Sequence, residues 1–488
     1  MLFRSFGHPL TQEVAYGSQL GERRRRTHAA AARALESLQT GRVGERAAVL
    51  AYHWERAGEA LAAARWHRRA AEWASTSNGA EALRHWQQVL ALVATIPETD
   101  ETVALALVAY PQSLNLGTYM GSSEEEAKSL FVTGRRLAER AGDLKALAGL
   151  SYGYGVVKIN AGEVEEGFDH VAQAASLAQR IDDERWALAL CTGLAFVNTV
   201  LGRFEETLRL SEPVLEHPPA DLRLGARIVG FSPFLSLLLS RGIALMWMGS
   251  LGDAQRLLDR VLELLRDDAE IWTRGNAHAS YSRWARIVDD AQLAASHARQ
   301  TLDISERTGS VRSRVRAYRE LGALKMLEGQ WREAVDALEG TLALAREKRV
   351  FLYEEASMMA ELAEAYLGLG DPCRARTTAG EAVAVGRRRG ARLHECLANL
   401  GLARVLLRAE GAAAKGEIGA ALDAARALVE EMGARTLEPF IRAERAALAR
   451  LEGDERARQR ELREAHRLFT AMGATVRAEQ VGKDLSSG

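Results

Sequence analysis

The sequence predicts an all-α protein in which paired helices stack into an α-solenoid with a right-handed superhelical path. Two observations predict this fold. Glycine or a small polar residue marks a turn about every 40 residues, and a small residue follows five positions later. Between the turns, apolar residues recur every three or four positions, as they do along one face of an α-helix.

The composition indicates a folded protein that binds neither nucleic acid nor membrane. Of the 488 residues, 47% are hydrophobic and 26% are charged, and the net charge of −1 leaves no basic excess for nucleic acid. No apolar run has the length of a membrane span. The cysteines Cys191, Cys373 and Cys396 lack CxxC spacing, so they predict neither a disulfide framework nor a zinc site. We therefore expect a cytoplasmic protein.

The first hundred residues precede the regular repeats. The stretch 1–38 contains a very basic helix over 22–38, and 39–100 is expected to form irregular hairpins that lead into the array. Three helices are predicted in this second part, over 51–57, 60–75 and 80–93. The arginines at 23–26 point in different directions around a helix, so they cannot all bind one anion. They either face solvent or contact an acidic surface of another domain.

The repeat array is predicted over 101–473, and each unit contains two helices and two turns. The first turn of successive units falls at Ser122, Gly162, Gly202, Gly249, Asp289, Gly329, Gly370, Gly411 and Gly453. The second turn falls half a unit away, at Gly142, Asp182, Asp268, Gly309, Arg349, Gly390, Gly433 and Gly473. About nine consecutive hairpins of tetratricopeptide-like length are therefore expected.

The segment 331–345 illustrates how a predicted helix is built. Its apolar residues share one face: Trp331, Ala334, Val335, Leu338, Leu342 and Ala345. Charged residues occupy the other face, so a single stripe is expected to be buried. Turn glycines supply the left-handed conformation that ends a helix, and Asp371 followed by Pro372 is typical of a helix start.

Proline marks the irregular positions of the array. Four prolines fall within 213–233, the one interval that is 47 residues long rather than about 40. A loop is predicted over 217–222, and it is either a hinge or a tolerated insertion. Pro111 and Pro439 are expected at a kink or a late helix start. A short capping helix and tail are predicted over 474–488.

No motif with catalytic chemistry is present in the sequence. The chain contains no HExxH, no GxSxG, no GxGxxG after a strand, and no GxxxxGK[ST] loop that could bind phosphates. The histidines are not spaced to place two on one helical turn as a metal site needs. The prediction is a protein without catalytic residues, metal or cofactor.

One group of residues is a candidate for ligand binding. Arg312, Arg316 and Arg319 have the i, i+4, i+7 spacing of one helical face, on a helix expected to line the inner groove. Aromatic residues on the same and adjacent inner helices complete the candidate set: Tyr281, Trp284, Tyr318 and Tyr353. Guanidinium groups suit a carboxylate or a phosphate, so a small anionic ligand is one expectation. The alternative is that Glu320 and other acids pair these arginines as part of the structure.

Several segments resemble one protein family. The run FGHPLTQEVAY at 6–16 resembles a motif at the end of the winged-helix segment in large bacterial proteins that link an AAA-type or STAND ATPase to an adenylate/guanylate cyclase. Further segments look like the continuation of the same family: ERRRRTH at 22–28, AYHWERAG at 51–58, AEALRHWQQV at 80–89, GFSP at 230–233 and LREAHRLFTAMGA at 462–474.

The resemblance implies a role in signalling. In that family a cyclase domain, an ATPase domain and a winged helix precede a tetratricopeptide array, so 1–38 is expected to be a winged-helix remnant. The chain is then a non-catalytic sensor or partner-binding arm without the cyclase and ATPase domains. Its expected partner is a protein or peptide, including the ATPase or cyclase domains of a related chain. The alternative is the effector-binding arm of a STAND-type transcription regulator.

Overall fold

The fold is a continuous series of helical hairpins. The structure is a computed structural model and describes residues 16, 20–37, 43–75, 78–266 and 270–486. Within these residues it contains 24 α-helices, three short 3₁₀ helices and no β-strand, which confirms the all-α solenoid. The first four helices precede the regular array: α1 (Gly21–Ser37), α2 (Val43–Ala57), α3 (Ala60–Ala74) and α4 (Gly79–Val93).

Each hairpin of the array consists of an A helix followed by a B helix. The A helices are α5 (Asp100–Met120), α7 (Leu144–Asn160), α9 (Glu184–Val200), α12 (Pro233–Met248), α14 (Ile271–Val288), α16 (Val311–Leu327), α18 (Glu355–Gly368), α20 (Arg392–Ala409), α22 (Glu438–Glu452) and α24 (Thr475–Ser486). The B helices are α6 (Glu124–Ala141), α8 (Val164–Ala178), α10 (Phe204–Glu216), α13 (Leu251–Leu264), α15 (Ala291–Thr308), α17 (Trp331–Lys348), α19 (Pro372–Arg389), α21 (Lys415–Met432) and α23 (Glu455–Met472). The short helix α11 (Ala226–Val229) lies between α10 and α12. None of the described helices is long and apolar enough to cross a membrane.

The predicted turns coincide with residues in the left-handed conformation. Eight of the nine first-turn positions have a positive φ, including the non-glycine Asp289 with φ 69°. The remaining turn lies one residue earlier than predicted, because Gly121 rather than Ser122 takes the left-handed conformation. In the second series, Asp182 does not have a positive φ and Asp268 lies outside the described residues.

Small residues follow the first turns because the B helix crosses its A helix there. Ala254, Ala334 and Ala375 are completely buried. At Gly167 in α8, a Cβ atom would lie 2.7 Å from the carbonyl oxygen of Gly155 in α7. The backbones of the two helices are therefore too close for a larger side chain at this crossing.

The prolines lie where the regular helices are interrupted or begin. Residues 217–225 are non-helical, as predicted for 217–222, and Pro233 occupies the first turn of α12 behind the N-cap Ser232. Pro439 lies in the first turn of α22, which confirms a late helix start. Pro111 instead lies inside α5, and the helix continues through it to Met120.

Successive turns of the superhelix contact each other. The Ser310 hydroxyl, just before α16, donates to the carbonyl oxygen of Tyr119 in α5 at 3.0 Å. Hydrogen bonds also join Phe351 to Asn160, Thr436 to Met246 and Arg477 to Arg286, and the two residues of each pair are 190 or 191 positions apart in the sequence. In each pair, the C-terminal part of one A helix contacts the start of the fifth A helix after it, or the segment directly before that helix. One superhelical turn therefore contains five hairpins.

Candidate functional site

Two adjacent cavities lie inside the superhelix. The first, here called the central cavity, has a volume of about 100 Å³ and is lined by α9, α12, α14, α16, α20 and the 3₁₀ turn Leu352–Glu354. The second, here called the terminal channel, has a volume of about 530 Å³ and is lined mainly by A helices from α12 to α24. Trp247 and Arg283 line both cavities. The A helices therefore form the inner wall, as expected for this fold.

Aromatic rings surround the guanidinium group of Arg312 in the wall of the central cavity. Its Cζ atom lies 4.7 Å from the ring centroid of Tyr119, 5.0 Å from that of Phe351 and 5.4 Å from that of Trp272. The residue is only 3% exposed. Cation–π attraction is strongest for desolvated cations, so these rings hold the charge in place.

Phe351 provides one of these rings from a strained backbone position. Its φ of 55° is in the left-handed region, which a bulky residue rarely adopts. The backbone N–H of Phe351 donates to Oδ1 of Asn160 at 3.4 Å, and its ring also lies 4.5 Å from the Cζ atom of Arg316. The contact between superhelical turns therefore fixes an aromatic residue beside two arginines.

Glu354 is the carboxylate shared by the arginines of this site. It accepts a hydrogen bond from Nη1 of Arg319 and lies 3.4 Å from Nη2 of Arg283 and 3.8 Å from Nη2 of Arg316. Burial alone would raise the pKa of Glu354, but the charges of Arg319, Arg283 and Arg316 outweigh burial and hold this pKa well below its usual range. Glu354 is therefore ionised and its charge is divided among three cations.

Arg319 is held more firmly than the two arginines before it. It donates to both carboxylate oxygens of Glu361 at 2.9 Å, and its Nη2 also donates to the Ser357 hydroxyl at 2.9 Å. This pairing agrees with the structural alternative expected from the sequence, although Glu361 and Glu354 are the partners. Glu320 instead lies 3.5 Å from Arg286.

His394 closes the polar part of the central cavity. Its Nδ1 atom lies 2.8 Å from the hydroxyl oxygen of Ser357, which itself donates to the carbonyl oxygen of Glu354. Burial lowers the pKa of His394 to about 3, and the positive charges of Arg319 and Arg283 also lower it. The imidazole is therefore neutral at physiological pH.

The terminal channel is lined by arginines and acids that form pairs between neighbouring A helices. Nε of Arg404 in α20 lies 2.8 Å from Glu444 in α22, and its Nη1 lies 3.3 Å from Glu364 in α18. Both partners are 40 residues, or one repeat, away from Arg404 along the chain. Arg408 also lines the channel, but among the described residues it has no hydrogen bond or ion pair.

The structure brings together only part of the predicted candidate set. Arg312, Arg316 and Tyr353 line the central cavity, and Arg319 lines the terminal channel. Burial raises the pKa of Tyr353 above its usual range, so its phenol stays protonated. The other three candidates line neither cavity: Tyr281, Trp284 and Tyr318.

These three residues point away from the cavities for different reasons. The Tyr281 hydroxyl donates to Asp259 of the preceding B helix at 2.8 Å, and the Trp284 Nε1–H donates to the carbonyl oxygen of Leu251 at 2.9 Å. Both side chains therefore belong to the packing between α14 and its neighbours. Tyr318 is 40% exposed on a different face of α16.

Sequence reasoning missed several residues of the site. Trp272, Phe351, Glu354 and His394 were not predicted, and no motif singles them out. The aromatic character of the 351–353 segment directly before α18 was the available signal. Among the described residues, no group of three or more His, Cys, Asp or Glu side chains could hold a metal ion.

Fold and inner cavities together define a helical repeat protein of the tetratricopeptide type. Among solved structures, the chain is similar to a Rap protein complexed with Competence and Sporulation Factor, with TM-score 0.56 and 14% identity over 77% of this chain and 99% of that chain. The Rap conjugation gene regulator of plasmid pLS20, in complex with the Phr* peptide, matches with TM-score 0.45 and 12% identity over 77% of this chain and 97% of that one. A STAND protein with a tetratricopeptide repeat sensor from Pyrococcus horikoshii matches with TM-score 0.38 and 14% identity over 88% and 74%.

At these identities the likeness to the Rap protein of the first comparison establishes a shared fold. No model of a known protein family matches the chain, and no curated protein matches it.

Proposed function

We propose that this chain is a regulatory binding protein whose terminal channel takes a segment of a protein or peptide partner. The observation that carries the proposal is the channel itself, a concave space of about 530 Å³ inside the superhelix. This volume is within the range of ligand sites in proteins, roughly 300 to 1,000 Å³. Repeat proteins use the concave surface of their superhelix for binding.

The charges of the channel favour an acidic segment. Six arginines line it against four acidic residues, and Arg408 has no partner among the described residues. The paired charges, such as Arg404 with Glu364 and Glu444, neutralise each other. Arg283, Arg286 and Arg477 also pair, with Glu354, Glu320 and Asp289, so among the described residues it is the charge of Arg408 that remains available for a carboxylate of a partner. The Rap protein of similar fold is complexed with Competence and Sporulation Factor, which supports a binding role for this fold.

The role in the cell that we propose is that of a sensor or partner-binding arm in ATPase–cyclase signalling. Its support is the sequence resemblance at 6–16 and 462–474 to proteins of that family. Sequencing the DNA upstream of the codon for Met1 tests this role. An open reading frame with a GxxxxGK[ST] loop and a cyclase domain supports it, and a frame with a STAND ATPase but no cyclase domain favours the alternative of a transcription regulator.

Binding to the channel can be tested with a synthetic library of random decapeptides. The purified chain is incubated with the library, bound peptides are identified by mass spectrometry, and the affinities of enriched peptides are measured by calorimetry. We expect enrichment of peptides rich in Asp and Glu. The Arg408→Glu variant is expected to bind them about tenfold more weakly, because it reverses a charge in the channel.

Arg450→Glu is the matched control for Arg408→Glu. Arg450 is exposed at the end of α22, lines neither cavity and has no side-chain partner among the described residues. This variant is expected to bind like the unmodified chain. Failure of the chain to enrich any peptide, or equal weakening by both substitutions, would contradict a partner site in the channel.

A further inference from the structure

We infer that the central cavity recognises a carboxylate carried on a small apolar group, and that Arg312 and Arg316 bind that carboxylate. The inference rests on the proposed function and deepens it, because it states which part of a peptide enters the central cavity. The occupant with this chemistry is the C-terminal residue of a peptide, with an apolar side chain such as that of valine.

Arg312 is a buried cation without a carboxylate partner. No Asp or Glu among the described residues forms an ion pair with it, and its Nε atom has no hydrogen-bond acceptor. Burying a charge without a counter-ion is costly, and the cost is removed when a ligand supplies the opposite charge. The three aromatic rings near its Cζ atom attract the cation without supplying a counter-ion.

Two further donors of the same cavity lack an acceptor. The Nε atom of Arg316 and the Nε1 atom of Trp247 are buried without a hydrogen-bond partner among the described residues. Arg312, Arg316 and Trp247 all line the central cavity, and no residue that lines it has an unsatisfied buried acceptor. The cavity therefore presents unsatisfied donors, and it needs a ligand that accepts hydrogen bonds.

The charge balance of the lining favours an anion. Three arginines line the central cavity, and Glu354 is the one acidic residue among the lining side chains. Glu354 is already bound by Arg319, which lines the neighbouring channel. A carboxylate placed beside Arg312 and Arg316 compensates the remaining positive charge.

The rest of the lining is apolar and small. Val200, Leu239, Ile243 and Leu393 line the cavity together with the arginines. The volume of about 100 Å³ is less than the roughly 150 Å³ of an engineered protein cavity that binds benzene. Three or four carbon atoms attached to a carboxylate fit this space, whereas a phosphate ion would leave the apolar side unfilled.

The position of the cavity selects a peptide end over a free acid. Trp247 and Arg283 line both the central cavity and the terminal channel, so the two spaces adjoin. The inferred occupant lies in the channel and passes between these two side chains, so that its last residue is in the central cavity. Its C-terminal carboxylate then reaches the arginines of α16.

Two decapeptide libraries of identical random composition test the inference, one with free C-terminal carboxylates and one with C-terminal amides. We expect the free library to be enriched in peptides that end in Val, Ala or Ile. An enriched peptide is expected to bind roughly 10- to 100-fold more tightly as the carboxylate than as the amide, because a hydrogen-bonded charge is lost in the amide. Arg312→Met and Arg316→Met are expected to remove this difference, and methionine fits the aromatic surroundings of residue 312.

Arg314→Met is the matched control, because Arg314 is exposed on the same helix and lines neither cavity. Circular dichroism of each variant checks its fold, and Arg316→Met decides the question if Arg312→Met fails to fold. Equal binding of carboxylate and amide peptides would overturn the inference. So would a preference that survives in both arginine variants.

Competition by two small anions distinguishes a carboxylate from a phosphate and a peptide end from a free acid. Isobutyrate is expected to compete with the carboxylate peptides at millimolar concentration, whereas inorganic phosphate at the same ionic strength is not. Isobutyrate that binds as tightly as the best peptide would overturn the peptide end as occupant, and tighter binding of phosphate would overturn the carboxylate. If acidic peptides bind the chain and lose affinity in Arg408→Glu but not in Arg312→Met, the inference fails while the proposed function stands.

Discussion

Arg319 joins three polar groups from the region before and within α18. It donates hydrogen bonds to Glu354, Glu361 and Ser357. Burial alone would raise the pKa of Glu361, but the charge of Arg319 outweighs burial and lowers it, as it does for Glu354. Folded-state pKa values below the unfolded values stabilise the protein above the unfolded pKa, and this stabilisation is lost as the pH falls through the folded pKa.

Replacing Arg319 by methionine is expected to destabilise the protein by about 3 kcal/mol at pH 7, because two carboxylates lose their main counter-ion. The loss should be smaller at pH 4.5. In the variant the pKa values of Glu354 and Glu361 rise, and protonation then removes the unpaired charges. Urea unfolding at both pH values measures the effect, with Arg314→Met as the exposed control. An equal loss at pH 7 and pH 4.5 would contradict the electrostatic origin.

The buried imidazole of His394 gives the stability of the protein a second dependence on pH. Its folded pKa of about 3 is below the unfolded value near 6.5, so the unfolded chain binds more protons between these values. Protonation therefore favours unfolding as the pH falls below 6.5, and this residue should remove about 2 kcal/mol of stability between pH 7 and pH 5. Glu354, Glu361, Arg319, Arg283 and the Ser357 hydroxyl face the imidazole.

The His394→Gln variant isolates this contribution from those of the other histidines. Glutamine keeps a hydrogen-bonding group near Ser357 but does not titrate in this range. We expect the stability of the variant to fall less than that of the unmodified chain on going from pH 7 to pH 5, by about 2 kcal/mol. Parallel stability curves for the two proteins would show that His394 is not responsible.

Spacing along one helix predicted the arginines of the site but not their partners. Arg312, Arg316 and Arg319 share a face of α16, and this follows from helical geometry alone. Tyr119 and Phe351 reach Arg312 from the preceding superhelical turn and from the start of the next repeat, so no local pattern records them. The positions of Tyr281 and Trp284 outside both cavities were not predictable, because α14 is buried on several sides and has no single apolar stripe to identify its inner face.

At the scale of the helices, the turn residues set the repeat. Gly329 has φ 70°, and a Cβ atom at this position would meet no neighbour within 4 Å. Only the left-handed backbone therefore disfavours another residue there. We expect Gly329→Ala to destabilise the protein by about 1 kcal/mol.

Replacing Gly340, inside the next helix, is expected to change the stability in the opposite direction. It is exposed in the interior of α17, and a Cβ atom at this position would also meet no neighbour within 4 Å. Alanine is preferred over glycine inside a helix, so Gly340→Ala should stabilise the protein by roughly 0.5–1 kcal/mol. Thermal unfolding of both variants measures the two effects, and shifts in the same direction would contradict this explanation.

The turn positions were predictable because few residues accept the left-handed conformation. Asp182 lies in the predicted turn between α8 and α9, but this turn is not left-handed, since α8 ends at Ala178 with a right-handed cap at Gln179. A polar residue at the expected spacing is therefore a weaker indicator of a left-handed turn than glycine. The burial of α17 was also predictable, since Ala334, Leu338 and Leu342 are buried as their spacing indicates.

At the scale of the whole molecule, hydrogen bonds hold neighbouring superhelical turns together. The buried Thr436 hydroxyl donates to the carbonyl oxygen of Met246, and Nη2 of Arg477 donates to that of Arg286 at 3.1 Å. Arg477 also pairs with Asp289 at 2.8 Å. The Thr436→Val and Arg477→Met double variant is expected to loosen this contact.

Small-angle X-ray scattering should show a larger radius of gyration for this double variant, and amide hydrogen exchange near residue 249 should be faster. Thr470→Val with Arg450→Met is the control pair, because Thr470 bonds only within its own helix. A radius of gyration unchanged from that of the control would show that these bonds do not set the superhelical pitch.

The number of hairpins in one superhelical turn was not predictable from the sequence. The repeat length of about 40 residues follows from the turn residues, but the pitch depends on small rotations between successive hairpins. Contacts such as Ser310 with Tyr119 become visible only when these rotations have accumulated over five repeats.

Bonds that join residues 190 or 191 positions apart also change how the chain should unfold. In an open solenoid each repeat couples only to its nearest neighbours, so unfolding can start at either end and spread in steps. Here a hairpin also contacts the hairpin five repeats away, which raises the contact order of the fold. Unfolding one of these two hairpins therefore also breaks the hydrogen bonds that it makes with the other. The array is therefore expected to fold slowly and to melt in fewer, more cooperative transitions than a linear array of equal length.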